Sequence, residues 1–394
     1  MITCAIQLGS SRILAIGASK DARNGSLSSI QIESEIARDC ISHGCITNVE
    51  QAAMHFRSLI QKLSNRMRTQ ISAAYIGVGG MSLHSLIQFP SVQLPDYDVL
   101  ASESIAGNQY QLTIGLKAIR QRALAAMERA GIRVIDVIAL PQATACLLTT
   151  DERQRGCMLV DMGAGTTTVA IYKDNDLRHL AVIPLGGDAV TADIMSAGCA
   201  QDEAERIKTE WSNVAPDAST ANSQFADKAL PFPQSKLNNI ALCRYEEIAA
   251  NIQHQLELSG LKDQLEAGCI LTGGAAMQSG LAMLLRHNLS VPQVIVRAYN
   301  ERAMLGSDRK PHLTNALALL NFCAEDCQKP AQPIADPVKP ATERKPVAPV
   351  ANPNEPSLDL PDAETEEPEY VPESHPIRDS ILRFAKDLFT GQNN

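Results

Sequence analysis

At 394 residues the chain has room for two or more domains and an ample core. A net charge of −9, a pI near 5.5 and only 4% aromatics argue against nucleic acid as a main partner, because they offer neither a basic surface nor base-stacking platforms. Ten scattered cysteines without paired Cys/His metal spacing, no leader-like segment after Met1 and no bilayer-length apolar run lead us to expect reduced thiols in a cytosolic protein.

In chain order, residues 1–18 read as a hairpin: Ala5-Ile6-Gln7-Leu8, a Gly9-Ser10-Ser11-Arg12 tip, then Ile13-Leu14-Ala15-Ile16. Residues 26–34 alternate like an edge strand, and Asn48 is placed to cap a helix whose apolar face holds Ala52, Phe56, Leu59, Ile60 and Leu63. Ala73–Gly80 is a strand ending in glycines. The stretch 86–114 contains Pro90, Pro95 and one or two strand-like runs. A helix over 115–130 stops at Gly131, Val134–Leu140 is a strand, and Pro141 opens a helix with Gln142 in its first turn.

The second half begins with Met158-Leu-Val-Asp161-Met-Gly163-Ala-Gly165-Thr166-Thr167-Thr168-Val-Ala-Ile-Tyr172, again strand, small-residue corner, strand. Glycines at the tip let backbone N–H groups approach an anion, the threonines add hydroxyl donors, and the lone carboxylate of Asp161 suits a hydrated divalent metal. An ordinary polar-turn hairpin has the same layout; the occurrence of two such tips in one chain favours the anion reading. Gly186-Gly187 then precedes a helix, offering free N–H groups and the positive dipole end. Ala204-Glu205-Arg206-Ile207-Lys208 lies on a helix. Residues 213–236 read as a surface loop, Tyr245–Leu258 as an amphipathic helix, and Ala267–Thr272 as a strand closed by Gly273-Gly274-Ala275.

The paired tips resemble the phosphate-1 and phosphate-2 loops of the actin/Hsp70/sugar-kinase ATPase superfamily, although Gln7 stands where many members carry a carboxylate. Gly44-x-Ile46-x-Asn48 and Tyr75-Ile76-Gly77-Val78-Gly79-Gly80 with His84-Ser85 narrow the resemblance to the FtsA family. It implies an α/β, actin-like ATPase fold with two related halves, 1–150 and 151–328, around a nucleotide cleft. The inserted subdomain of the family would be reduced to about 86–114. The resemblance implies ATP and Mg2+ as cofactors. ATP would be held by Gly9, Ser10, Ser11, Arg12, Gly163, Gly165, Thr166, Thr167, Gly186, Gly187, Glu205, Lys208, Gly273, Gly274 and Ala275. Asp161 would hold the metal through water. Gln142 would orient a catalytic water, or is simply a solvated first-turn residue. His312–Leu320 resembles the second connecting helix, where small residues let the halves pivot.

Between Lys329 and Pro376 fall twelve of the 21 prolines, and Glu355–Glu373 holds eight acids and no base, so a disordered linker is expected over 329–375. Such a chain spans about 35–40 Å when flexible. Residues 376–391 then return to an amphipathic pattern, with Ile377, Ile381, Leu382, Phe384, Leu388 and Phe389 on one side. That pattern fits either an interfacial anchor or a helix docking in a partner's groove. The resemblance implies the anchor: a polymerising protein that ties FtsZ filaments to the cytoplasmic face of the membrane at the division site, with FtsZ, itself and the membrane surface as partners and slow hydrolysis at most. A pilus-assembly-type scaffold and a small-molecule kinase of the same superfamily are the alternatives.

Overall fold

The computed structural model describes residues 1–21, 23–88, 94–105, 109–216, 230–299 and 310–328. The chain divides into Met1–Ala335 and Asp336–Asn394, and every described residue lies in the first unit. The linker 329–375 and the terminal helix 376–391, including its six proposed anchor residues, lie outside the described residues.

The first half opens with β1 (Ile2–Leu8), β2 (Arg12–Lys20) and β3 (Leu27–Ile36), then a two-residue ladder, β4 (Ile41–Ser42) and β5 (Cys45–Ile46). Helix α1 (Val49–Met67) follows. Asn48 Oδ1 accepts from the N–H groups of Glu50 and Gln51, as its position before the apolar period required. Then come β6 (Ala73–Val78), β7 (His84–Gln88), β8 (Tyr97–Ile105), β9 (Gln109–Leu116), α2 (Lys117–Ala130), β10 (Arg133–Ala139), α3 (Leu140–Thr144) and α4 (Thr150–Arg155). The second half runs β11 (Cys157–Met162), β12 (Thr167–Lys173), β13 (Asp176–Ile183), α5 (Gly187–Ser196), α6 (Gln201–Trp211), α7 (Gln234–Leu258), β14 (Gly268–Thr272), α8 (Leu281–Asn288) and β15 (Val294–Val296). Helix α9 (Thr314–Leu319) closes the described chain.

The two main sheets share one plan. The first is ordered β3-β2-β1-β6-β10 and the second β13-β12-β11-β14-β15. In each, a three-strand antiparallel meander continues into two parallel strands reached by crossovers. The inner parallel strands β6 and β14 are buried along their length, so they are apolar or small throughout rather than alternating. One core holds the first sheet with α1 and α2; two others lie on the two faces of the second sheet. Residues Leu313–Cys327, placed by the sequence with the second half, pack into the first core instead, and Cys327 N–H donates to the carbonyl of Ile2 at 2.9 Å. All ten cysteines are free thiols. Among the described residues no helix is long and apolar enough to cross a membrane.

Two local readings are corrected. The segment expected to hold one or two strands forms a three-stranded antiparallel sheet, β7-β9-β8. Its central strand β9 buries Gln111, Thr113 and Ile114, a polar face that hydrophobic pattern alone underweights. Helix α7 starts at Gln234, not near Tyr245, because Leu237 and Ala241 extend the buried stripe of Tyr245, Ile248, Ile252 and Leu256 by two turns.

Candidate functional site

The two hairpins point their tips at each other. Gly165 lies so close to Ser10 that an added Cβ would sit 2.7 Å from the serine Cβ, and its carbonyl accepts from His43 Nδ1 at 2.8 Å. Between the halves opens a cavity of ≈ 790 Å³, within the usual range for a small-molecule site. From the first half Gln7, Gly9, Ser10, Ser11 and Arg12 line it; from the second, Asp161, Gly163, Thr166, Gly187, Glu205, Lys208, Gly273, Gly274 and Ala275.

Four of the expected residues do not reach the cavity. Thr166 and Thr168 face it, so Thr167, one step along the pleat, faces away; it is fully buried and donates to the carbonyl of Leu185 at 2.8 Å. Gly165 makes the tip-to-tip contact. Gly186 packs under the second tip, where a Cβ would meet the carbonyls of Ala164 and Gly163 at 2.5 and 2.6 Å. Both are needed for close backbone approach, not for contact with a ligand. Gln142 is half-buried in the first turn of α3 and is not among the lining residues, whereas Pro141 and Thr144 on either side of it are.

The floor of the cavity is polar and asymmetric. Asp161 sits in β11 opposite Thr168, its Oδ2 accepting from Asn315 Nδ2 at 2.7 Å, while Asn315 Oδ1 accepts from the Thr144 hydroxyl at 2.6 Å. This chain ties α3, β11 and α9 together beneath the cleft. Enclosure by protein raises the Asp161 carboxyl above its ordinary value, and the Asn315 hydrogen bond only partly opposes it. Gln7 is 7% exposed and its Oε1 has no hydrogen-bond partner, although it lines the same cavity. A buried acceptor left unpaired costs about 1–3 kcal/mol, so a donor or cation at this point would be welcome.

On the second-half wall, Lys208 Nζ is buried and donates to the Gly187 carbonyl (3.0 Å), Thr191 Oγ1 (2.8 Å) and Glu205 Oε2 (2.7 Å). Burial works to raise the Glu205 carboxyl, but the charge and hydrogen bonds of Lys208 outweigh it and hold it below its ordinary value. The pair thereby fixes the N-terminus of α5 against α6. Across the mouth, Arg38 donates to both Asp188 oxygens at 2.7 and 3.0 Å, linking the halves. Arg38, Asp188 and Asn315 were not singled out from the sequence. Asp188, directly after Gly186-Gly187, and Asn315, polar within an apolar helix, carried a readable signal; Arg38 carried none.

The duplicated sheet plan and the inter-half cavity define an actin-like ATPase fold. Known structures agree: the chain is similar to the PilM-PilN type IV pilus biogenesis complex, with TM-score 0.62 at 16% identity, covering 83% of this chain and 99% of that one. MreB5 of Spiroplasma citri bound to ADP matches with TM-score 0.52 at 13% identity over 82% of this chain and 95% of that chain. A family model described as Cell division protein FtsA matches residues 158–318. Cell division protein FtsA of Porphyromonas gingivalis is 32% identical over 325 residues, 69% of this chain and 68% of that protein. The Pseudomonas aeruginosa protein of the same name is 25% identical over 368 residues, 80% and 88% of the two chains. The chain belongs to the FtsA family of cell division proteins.

Proposed function

We propose that this is an ATP-binding, polymerising division protein that ties FtsZ filaments to the cytoplasmic membrane through its C-terminal amphipathic helix. The observation that carries the nucleotide part is the convergence of both glycine tips and both glycine pairs on one cavity. Gly9, Ser10, Ser11, Arg12, Gly163, Thr166 and Gly187 would hold phosphates through N–H, hydroxyl and guanidinium donors. Glu205 and Lys208 would face ribose and adenine, and Gly273, Gly274 and Ala275 the adenosine. At Gly274 a Cβ would lie 3.6 Å from the nearest atom, so the protein tolerates a side chain there and the ligand space would not.

Mg2+ fits the floor: the raised Asp161 carboxyl lacks a counter-charge and the Gln7 Oε1 lacks a donor, needs that a hydrated divalent cation meets together. Bound there, the ion would neutralise phosphate charge. The chain's own residues bind and orient the nucleotide, and with Gln142 outside the cavity and an amide at Gln7, turnover is expected to be slow.

The sequence pattern of the tail supports the membrane part. One weak amphipathic anchor per chain, multiplied along a filament, becomes strong through effective concentration, so assembly would control membrane residence. The test is co-sedimentation of purified FtsZ with liposomes in the presence of this protein and ATP. Wild type should carry FtsZ into the pellet; Phe384→Glu and a chain truncated after Lys329 should not. Equal pelleting by the truncated chain would overturn the anchor.

A further inference from the structure

Outside the nucleotide cavity, one group of side chains among the described residues has metal-ligand chemistry. Asp39 and Cys40 lie three and four residues beyond the end of β3, and α1 brings His55 beside them; one donor atom from each lies within 4.8 Å of the other two. We propose that Asp39, Cys40 and His55 form a zinc site on the outer side of the first half, with the fourth position left to water.

Three features favour this over a surface ion network. His55 Nδ1 faces Glu35 Oε2 at 2.7 Å, and Glu35 is itself fixed by Ser58 Oγ and Lys62 Nζ, each at 2.5 Å. That arrangement keeps the Nδ1 proton on the Glu35 side and leaves Nε2 facing Asp39, the carboxylate–histidine–metal pattern of zinc sites. Next, Asp39 Oδ1 and His55 Nε2 are 3.3 Å apart. Bonds of about 2.0–2.1 Å to a tetrahedral ion put ligand atoms at about that separation, so this edge already has the right length. Finally, the donor set is one thiol, one imidazole and one carboxylate, which selects zinc over magnesium or calcium.

Cys40 is fully buried while Asp39 is 53% exposed, so the ion would have an enclosed sulfur side and an open solvent side. Burial, and after it the Asp39 charge, push the free thiol up to about 12. Zinc binding therefore replaces the Sγ–H bond by an Sγ–Zn bond and releases that proton to solvent. The segment also bears on the cleft. Ile36 and Arg38 line the nucleotide cavity, and Ala37 N–H donates to the Ser11 carbonyl at 3.1 Å. Zinc would hold this strand end, and with it Arg38, in a fixed position.

The test uses the full chain, reduced and metal-free, in a Cys146→Ser/Cys243→Ser background that removes the two exposed thiols. Zinc is titrated against a chromophoric chelator, and cobalt is added separately for spectroscopy. One zinc per chain is expected, with affinity at least about 100-fold weaker in His55→Ala and in Asp39→Ala, and about 10-fold weaker in Glu35→Gln. Cobalt should give a sulfur-to-metal charge-transfer band that vanishes in Cys40→Ser. Should Cys40→Ser fail to fold, the exposed-side variants His55→Ala and Asp39→Ala still decide the matter. No stoichiometric zinc, unchanged affinity in those two variants, or a cobalt complex without the sulfur band would each overturn the proposal.

Discussion

The two halves repeat one strand order and place different chemistry at the matching point. In the first, the last residue but one of β1 is Gln7, an amide with an unpaired Oε1; in the second, the last but one of β11 is Asp161, a carboxylate held by Asn315. Duplication reproduces the geometry of two phosphate-type hairpins, while a carboxylate is placed only once. Two carboxylates facing each other across this enclosed floor would repel, and one would be driven to hold its proton. A single charged floor residue suits binding with slow turnover.

The largest expected effect tests whether both halves face one ligand. Gly274→Val should reduce ATP affinity more than about 100-fold, roughly 2.7 kcal/mol, with little change in thermal stability, read by calorimetry and a melting curve. Its neighbour provides the contrast. Gly273 has φ +94° and an added Cβ would strike Met162 O and Asp161 Oδ1, so Gly273→Ala should lower the melting temperature before it affects binding. Next, the asymmetry predicts that Asp161→Ala lowers steady-state turnover about 30–100-fold, and Gln7→Ala less than about 3-fold. Equal losses in both would mean that the halves share the metal.

A smaller effect concerns stability. Among the described residues two carboxylates, Glu35 and Glu152, are held at about 2. Glu35 is lowered by Lys62, Ser58 and His55 against the effect of burial; Glu152 is lowered first of all by Arg297, which donates to it at 2.6 and 2.8 Å. Both folded values lie below the ordinary 4.5, so this stabilisation is fully present above about pH 4.5 and is lost as pH falls toward 2. Glu152→Gln should cost about 2–3 kcal/mol at neutral pH and flatten the acid limb of a denaturant–pH series. The smallest effect separates a latch from a ligand contact at Arg38–Asp188. A partly exposed ion pair contributes about 0.2–1 kcal/mol. Arg38→Gln should weaken ATP binding about 2–5-fold, and Asp188→Asn should strengthen it, because both break the bridge but only one removes a positive charge from the phosphate region. Identical effects would leave a latch alone.

What was legible in the sequence was local. Apolar run, glycine tip and β-branched run specify a hairpin within about fifteen residues, so both tips, the glycine pairs at α5 and after β14, and the cap at Asn48 could be read directly. The paired tips also made the duplicated fold legible. What joins the halves was not. Arg38–Asp188 and Thr144–Asn315–Asp161 bring together residues some 150–170 positions apart, and no local period encodes them. The pleat also mattered: three consecutive threonines look equivalent in sequence, yet Thr167 is turned into the core by the alternation that turns Thr166 and Thr168 to the cavity. The buried polar strand β9 was missed for a related reason, since its Gln111 and Thr113 hide a core-facing strand from hydrophobic counting.

On this reading one nucleotide cavity lies between two like halves and would draw its metal through one of them. Calorimetric titration of ATP into the full chain, with and without magnesium, tests it most directly in wild type, Gln7→Ala and Asp161→Ala. A single site is expected, tightened by magnesium in wild type and Gln7→Ala, with the magnesium effect gone in Asp161→Ala. Absence of ATP binding, or an undiminished magnesium effect in Asp161→Ala, would contradict it.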